Sequence, residues 1–251
     1  MTRNIVAVVL GSALLSACVP PEVETRMADL ENKVADLEKK VAEAPAARPG
    51  AAAKPPVDDA AEKAAAELLK AASQAAEQLN YDEAKAKLAE LKANHGETRA
   101  ARAAQRLESE LEIIGKPASD LMVEKWYNGE GEVTSLGDGK ATMLVFWEVW
   151  CPHCKREVPK LSETYGKYKD KGLQMVGLTK LTRNTTEEAV EGFISENSVA
   201  YPIAKEEGDA MSQHYGVRGI PAAAVVKDGK VVWRGHPARV TDAMIDGWLG
   251  S

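Results

Sequence analysis

Two cysteines, Cys151 and Cys154, stand two residues apart directly after Trp150. The apolar run 143–147 before them is typical of a buried strand, and residues 155–158 after them can begin a helix. At a helix N-terminus, unpaired N–H groups and the helix dipole favour negative charge. Cys151 is therefore predicted to ionise readily and to attack disulfides, so the spacing predicts thiol–disulfide chemistry.

A zinc site also uses Cys-x-x-Cys, but it needs about two further nitrogen or sulfur ligands. The histidines His95, His214 and His236 are isolated in the sequence, so we expect neither a metal nor a cofactor. His214 and His236 are better interpreted as surface or packing residues. A lone peroxidatic cysteine in a Pro-x-x-x-Thr-x-x-Cys context is absent from the sequence.

Length and charge limit the possible organisation. With 251 residues the chain exceeds one average domain, which indicates one compact domain with additional segments. A formal net charge of −6 argues against a nucleic-acid partner, which would need a basic face. Alanine dominates the first half and aromatic residues concentrate from Trp126 onward, so the large core is expected there.

Residues 1–17 have the features of an export signal, with an apolar run too short to span a bilayer. The segment that ends at Cys18 (Leu-Ser-Ala-Cys) resembles the lipobox of bacterial lipoproteins, which implies cleavage before Cys18 and lipidation of its sulfur. Because Val19 follows rather than Asp, resemblance to Gram-negative sorting implies the periplasmic leaflet of the outer membrane. The alternative is an ordinary signal peptide with a chance cysteine. With Cys18 lipidated, Cys151 and Cys154 are the remaining thiols.

Residues 18–43 are predicted to carry the lipid anchor and a short coiled coil. Apolar residues recur at alternating spacings of three and four over 23–41, and oppositely charged residues flank them. A parallel homo-oligomer, either a dimer or a trimer, would place Arg26 opposite Glu31 of the neighbouring copy. The alternative is a single amphipathic helix that lies on the protein or on the membrane. The apolar positions are Val23, Met27, Leu30, Val34, Leu37 and Val41.

Residues 44–57 form a Pro/Ala-rich linker that should be extended. From 58 to 115 the sequence is alanine-rich and predicts three helices: one capped by Asp58, one over 81–93 and one over 98–114. The middle of this segment loosely resembles a tetratricopeptide helix pair. Since a peptide-binding solenoid needs at least ~3 repeats, a spacer or docking platform is the better interpretation.

Residues 116–251 are predicted to form an α/β domain, preceded by the helical segment and the coiled coil. The Asp-Gly pair at 228–229 is a strong hairpin signal. The predicted elements are, in order, a hairpin at 123–136, a strand at 143–147, a helix to about 169, a strand at 173–179, a helix at 186–197, a strand at 201–204, a helix at 209–215, a hairpin at 223–226 and 230–234, and a helix at 241–249.

Three segments, 146–154, 157–161 and 215–221, resemble the thioredoxin superfamily, most closely its membrane-tethered TlpA/ResA-type branch. The resemblance implies a thioredoxin-like fold over the last part of the chain. It also implies a cis Pro221 facing the cysteines and a substrate strand pairing with the backbone around Ile220. In the implied mechanism Cys151, the more exposed thiol, forms the mixed disulfide, and the buried thiol resolves it.

Two positions depart from thioredoxins. Pro152 and His153 replace the usual Gly-Pro and resemble DsbA-type oxidases, which implies a stabilised thiolate and a more oxidising disulfide. Val145 stands where thioredoxins carry a buried Asp that assists the resolving thiol, and whether Glu148 replaces it stays open. Trp150 is expected to shape the substrate surface beside the cysteines.

The sequence therefore predicts a lipid-anchored periplasmic thiol–disulfide oxidoreductase with a bias toward oxidation or isomerisation. Its partners would be protein thiols and disulfides and a membrane redox protein that recycles the site. One alternative is a TlpA/ResA-like reductase, for example in cytochrome c maturation. A second alternative is an assembly lipoprotein that binds partners through its helical segment.

Overall fold

The structure is a computed structural model that describes residues 21–43 and 58–250. Residues 21–43 form one helix, α1 (Pro21–Glu43), on which Met27, Leu30 and Val34 are exposed. This helix belongs to a different unit from the chain that begins at Val57. The lipid site proposed at Cys18 and the linker at 44–57 lie outside the described residues. Within the described ranges, no helix combines the length and the apolar character that crossing a bilayer requires.

The three helices predicted over 58–115 are present as α2 (Asp59–Glu77), α3 (Tyr81–His95) and α4 (Arg99–Glu112). Side-chain oxygens cap two of them, because Asp58 accepts from the backbone of α2 and Thr98 from the backbone of α4. Small alanine side chains let these helices approach each other closely. Their shared core is formed by Ala65, Ala72, Ala75, Ala84, Leu88, Leu91, Ala100, Ala104, Leu107 and Leu111.

The rest of the chain forms one six-stranded sheet in the order β1-β4-β3-β2-β5-β6. Strands β2, β3 and β4 are parallel, whereas β1 and β5 run antiparallel to β4 and β2, and β6 runs antiparallel to β5. The strands are β1 (Val123–Asn128), β2 (Thr142–Trp147), β3 (Gln174–Thr179), β4 (Ile203–Glu206), β5 (Ala222–Lys227) and β6 (Lys230–Gly235).

The hairpin predicted over 123–136 is wrong. Only β1 forms there, and it pairs with the distant strand β4 rather than with the residues that follow it. The chain turns away at Gly129, whose φ of +65° suits glycine and where a Cβ atom would lie only 2.6 Å from the Pro202 ring. The strand predicted at 201–204 lies slightly later, at β4, and the other predicted elements are present with shifts of one or two residues at their ends.

Four helices complete this part of the chain: α5 (Pro152–Tyr168), α6 (Glu187–Glu196), α7 (Ala210–His214) and α8 (Asp242–Leu249). Alternate residues of β2 point to opposite faces of the sheet. Met143, Val145 and Trp147 pack in one cluster with α5, α6 and α8. Leu144 and Phe146 pack in the other cluster with α7. Because both faces are covered, β2 is buried along its whole length and delivers its C-terminal end to the start of α5.

The helical segment and the sheet form one compact unit from Val57 onward. The phenol of Tyr81 on α3 donates a hydrogen bond of 3.0 Å to the carbonyl of Val232 on β6. After α4 the backbone continues beside β6, where the N–H of Gly115 donates to the carbonyl of Val231 at 2.8 Å. These contacts hold α3 and the segment after α4 against β6, an edge strand of the sheet.

Candidate active site

The cysteine pair lies where β2 ends and α5 begins. Cys151 is the N-cap of α5, and Pro152 occupies the first turn, where its missing N–H costs no hydrogen bond. The N–H of Cys151 donates to the carbonyl of Glu148 at 3.1 Å, which closes the turn between strand and helix. The structure thus places Cys151 at a helix N-terminus, as predicted, with Cys154 one turn further along.

Both thiols are free and buried, with exposed fractions of 4% for Cys151 and 0% for Cys154. Burial raises the pKa of the Cys154 thiol well above its ordinary value, and the neighbouring Cys151 and the Glu148 carboxylate act in the same direction. Cys154 is therefore held as a thiol at neutral pH. This leaves Cys151, at the edge of the cleft, as the sulfur that can attack first.

The loop before β5 faces Cys151 across this cleft. The Sγ of Cys151 lies 3.7 Å from the carbonyl oxygen of Ile220, to which the thiol donates. The Ile220–Pro221 peptide bond is cis, as the resemblance implied, and Pro221 is buried. The cleft has a volume of about 440 Å³, and its lining includes Trp150, Pro152 and Ile220. The predicted thiol and the predicted substrate-binding loop therefore meet in space.

His153 is exposed at the start of α5 and also lines the cleft. Its Nδ1 lies 2.7 Å from the Nη2 of Arg156. A guanidinium can only donate, so Nδ1 accepts and the ring proton belongs on Nε2. In this arrangement the guanidinium of Arg156 places a positive charge near the start of α5.

Glu148, whose role the sequence left open, is only 8% exposed and takes part in a small hydrogen-bond network. Its carboxylate accepts a hydrogen bond of 2.7 Å from the indole N–H of Trp150 and a second one from the hydroxyl of Thr182. The guanidinium of Arg183 lies 3.8 Å above the centre of the Trp150 ring, within cation–π distance. No sequence signal identified Thr182 and Arg183, because they lie in the loop that follows β3.

A second buried carboxylate contacts two residues that line the cleft. Glu206, at the end of β4, is buried, and its carboxylate accepts from the backbone N–H of Ser212 at 2.8 Å and from the hydroxyl of the same residue. The ammonium of Lys180 lies 3.4 Å from it and balances its charge. Lys180 and Ser212 both line the cleft, and Glu206 contacts both of them, while Asp209 also pairs with Lys180. Sequence reasoning missed Lys180, Glu206 and Ser212.

In the described part of the chain, no three His, Cys, Asp or Glu side chains converge in a way that could hold a metal ion.

Comparison with known proteins gives a consistent result. The model of the AhpC/TSA family matches residues 114–234. The thiol-disulfide oxidoreductase ResA of Bacillus thuringiensis (strain Al Hakam) is 36% identical over 122 residues, which cover 47% of this chain and 67% of that protein. ResA of Halalkalibacterium halodurans is 28% identical over 139 residues, which cover 55% of this chain and 77% of that protein.

Among solved structures, StoA from Bacillus subtilis is similar, with a TM-score of 0.43 and 25% identity over 53% of this chain and 98% of that chain. The family model spans β1 to β5 and most of β6, and this range includes both cysteines and the facing loop. The chain therefore belongs to the family of ResA-type thiol-disulfide oxidoreductases, and its C-terminal part matches the thioredoxin-like AhpC/TSA family model.

Proposed function

We propose that this chain is an enzyme that exchanges disulfide bonds with other proteins through Cys151 and Cys154. The observation that carries the proposal is the position of Cys151, at a helix N-terminus and 3.7 Å from the Ile220 carbonyl, with the protonated Cys154 buried behind it. Cys151 is thus accessible to a substrate, and Cys154, one helical turn away, can resolve the mixed disulfide.

In the reducing direction, the Cys151 thiolate attacks one sulfur of a substrate disulfide. A mixed disulfide forms, and the other substrate sulfur leaves as a thiolate that takes up a proton. The Cys154 thiol then loses its proton and attacks the Cys151 sulfur. This releases the second substrate thiol and leaves the protein oxidised with a Cys151–Cys154 disulfide. The oxidising direction runs the same steps in reverse.

The facing loop is proposed to hold the substrate chain. The Ile220 carbonyl points into the cleft at the Cys151 thiol, and the buried Pro221 fixes the backbone at this place. An extended substrate segment can add to this edge by backbone hydrogen bonds, with its cysteine over Cys151. Trp150, held by Glu148, and the exposed Pro152 and His153 would contact the residues around that cysteine.

The direction of the reaction is proposed to be oxidation or isomerisation, on the basis of Pro152 and His153. A group that stabilises the Cys151 thiolate stabilises the reduced form and makes the disulfide more oxidising. Reductase activity is the second candidate, and the identity of 36% to ResA over the catalytic region favours it. Equilibration of the pair with glutathione separates the two. A reduction potential of about −120 mV would support an oxidant, and one of about −270 mV would support a reductase.

The proposal also includes a cellular location and an oligomeric state. Lipidation at Cys18 would anchor the enzyme on the periplasmic side of the outer membrane, where a membrane redox protein would recycle the site. The exposed apolar side chains of Met27, Leu30 and Val34 on α1 support self-association into a dimer or trimer. If a Cys151→Ser/Cys154→Ser variant fully rescued a deletion strain, the role as an assembly lipoprotein would be preferred instead.

Trapping tests the proposed chemistry directly. In Cys154→Ala, the mixed disulfide on Cys151 cannot be resolved, so we expect disulfide-linked complexes that disappear on reduction. Cys151→Ala is the matched control and should give none, because the remaining thiol is buried and protonated. Non-reducing electrophoresis followed by mass spectrometry provides the readout. Equal amounts of complex in the two variants would contradict the assignment of Cys151 as the attacking residue.

A further inference from the structure

A groove of about 330 Å³ lies between α4 and the loop before β5. Its lining contains four arginines and one carboxylate, although the chain as a whole carries a net charge of −6. Gly219 lines both this groove and the cleft that holds Cys151, so the two meet at the facing loop. The charged residues of this arginine groove are Arg102, Arg106, Arg218, Arg234 and Glu110.

Glu110 does not neutralise the groove. Its buried carboxylate accepts from the Nε of Arg106 at 3.2 Å and also pairs with Arg239, so it is already shared between two guanidiniums. Arg102 is exposed, and its guanidinium donates to the backbone carbonyl of Glu97, an uncharged acceptor. Arg218 is exposed and has no hydrogen bond or ion pair within residues 58–250. Positive charge therefore exceeds negative charge on the groove walls.

Arg234 adds a buried positive charge at the floor. It is 6% exposed, and its guanidinium donates to the carbonyls of Tyr215 (2.9 Å), Ala223 (3.3 Å) and Gly235 (3.2 Å). Burial lowers the pKa of Arg234 to about 10, so the group is still charged at neutral pH. Every hydrogen bond of Arg234 is to a neutral carbonyl, and Glu110, the carboxylate whose charge acts on it, is already shared with Arg106 and Arg239. An anionic group that enters the groove would therefore add countercharge.

We propose that the arginine groove binds an acidic segment of the substrate polypeptide, close in sequence to the cysteine that reacts with Cys151. This inference rests on the proposed function, because a substrate strand over Ile220 continues past Gly219 toward the groove. An extended chain advances ~3.3 Å per residue, so residues a few positions from the reacting cysteine reach it. The arginines would attract such substrates and raise the association rate. The helical segment, through α4, thus contributes to substrate selection.

The experiment uses the reduced full chain and three peptides that each carry one cysteine as its mixed disulfide with 2-mercaptoethanol. The peptides differ only in three flanking residues, which are Glu, Gln or Lys. In the reaction Cys151 attacks the peptide disulfide, and the second-order rate is followed by stopped-flow fluorescence. We expect the Glu peptide to react about tenfold faster than the Gln peptide at low salt and the Lys peptide to react more slowly. The ratio should fall toward one in 0.5 M NaCl, because salt screens the charges.

The variants Arg102→Gln/Arg218→Gln and Arg218→Glu test the groove itself. The double variant should reduce the ratio of Glu-peptide to Gln-peptide rates severalfold, and the charge reversal should favour the Lys peptide. Arg99→Gln is the matched control, because this exposed arginine lies on the same helix outside the groove, and it should leave the ratio unchanged. A wild-type ratio near one, or an unchanged ratio in the double variant, would overturn the inference while leaving the proposed function intact. No reaction with any peptide would overturn the proposed function and the inference with it.

Discussion

The carboxylate of Glu148 accepts a hydrogen bond of 2.7 Å from the indole nitrogen of Trp150, the residue directly before Cys151. Thr182 donates to the same carboxylate from the loop after β3, so one buried anion joins the end of β2 to a neighbouring loop. The orientation of Trp150 at the rim of the cleft therefore depends on a residue that also adds negative charge near Cys154.

The first prediction concerns the effect of the Glu148 carboxylate on the pKa of Cys154. In a Cys151→Ala background, alkylation of Cys154 by iodoacetamide should be slow at neutral pH and should rise only well above the pH at which an ordinary cysteine reacts. This follows because burial raises the pKa of Cys154 and the Glu148 carboxylate adds to the effect. Glu148→Gln should shift the alkylation profile to lower pH. Glu163→Gln, an exposed change on α5, is the control, and equal profiles in the two variants would contradict the prediction.

The second prediction concerns the start of α4. Thr98 is 1% exposed; its hydroxyl donates to the His95 carbonyl at 2.7 Å and accepts from the N–H of Ala101 at 3.1 Å. Thr98→Ala should lower the free energy of unfolding by about 1 kcal/mol, the usual effect of losing an N-cap. Urea denaturation measures it. Thr134→Ala, the same change at an exposed loop position, should have almost no effect, and equal losses in both would count against the capping role.

The third prediction uses the contact between Tyr81 and β6. Tyr81→Phe removes a hydrogen bond to Val232 and should cost about 1 kcal/mol at pH 7. Burial raises the pKa of Tyr81 to about 12. Because this folded-state pKa lies above the unfolded value of about 10, the stabilisation is complete below pH 10 and is lost as the pH rises toward 12. The variant should therefore show a smaller alkaline loss of stability than the wild type.

Tyr127→Phe is the matched control for this experiment. Its hydroxyl is buried without a hydrogen-bond partner in the described part of the chain, and burial raises the pKa of Tyr127 to about 12 as well. This variant should reduce the alkaline loss in the same way but should not lower stability at pH 7. Guanidinium titrations at pH 7 and pH 11 compare the three proteins. A loss at pH 7 in Tyr127→Phe as large as that in Tyr81→Phe would disprove the role given to the Tyr81 hydrogen bond.

The fourth prediction concerns α1. Val34 is about half exposed on this helix and occupies a core position of the heptad pattern. If α1 associates with copies of itself, Val34→Asp should convert the oligomer to monomer, because a charge would have to be buried in the interface. Sedimentation velocity measures the mass. Ala35→Asp, on the neighbouring outward position, should leave the oligomer intact, and a monomeric wild type would refute the coiled-coil interpretation.

The resemblance to the thioredoxin superfamily implied the facing loop at 219–221. The residues themselves were sufficient to predict the cysteine pair at the start of a helix and most of the helices and strands. These features depend on local patterns, such as the buried run of β2, the Cys-x-x-Cys spacing and the Asp-Gly turn between β5 and β6. Hydrophobic period and turn residues act over a few positions, so they can be detected in one sequence.

Only the tertiary structure decided how distant segments meet. The pairing of β1 with β4 replaced the predicted hairpin, and at its end the N–H of Ile203 donates to the side-chain oxygen of Asn128 at 2.7 Å. The Glu148–Thr182 contact and the arginine groove likewise join residues from separate elements. The cysteines were visible as chemistry in the sequence. The residues that surround the cysteines could be identified only from the fold, which brings the loop after β3, the loop before β5 and α4 close to the site. Contacts between distant segments leave no local pattern in the sequence.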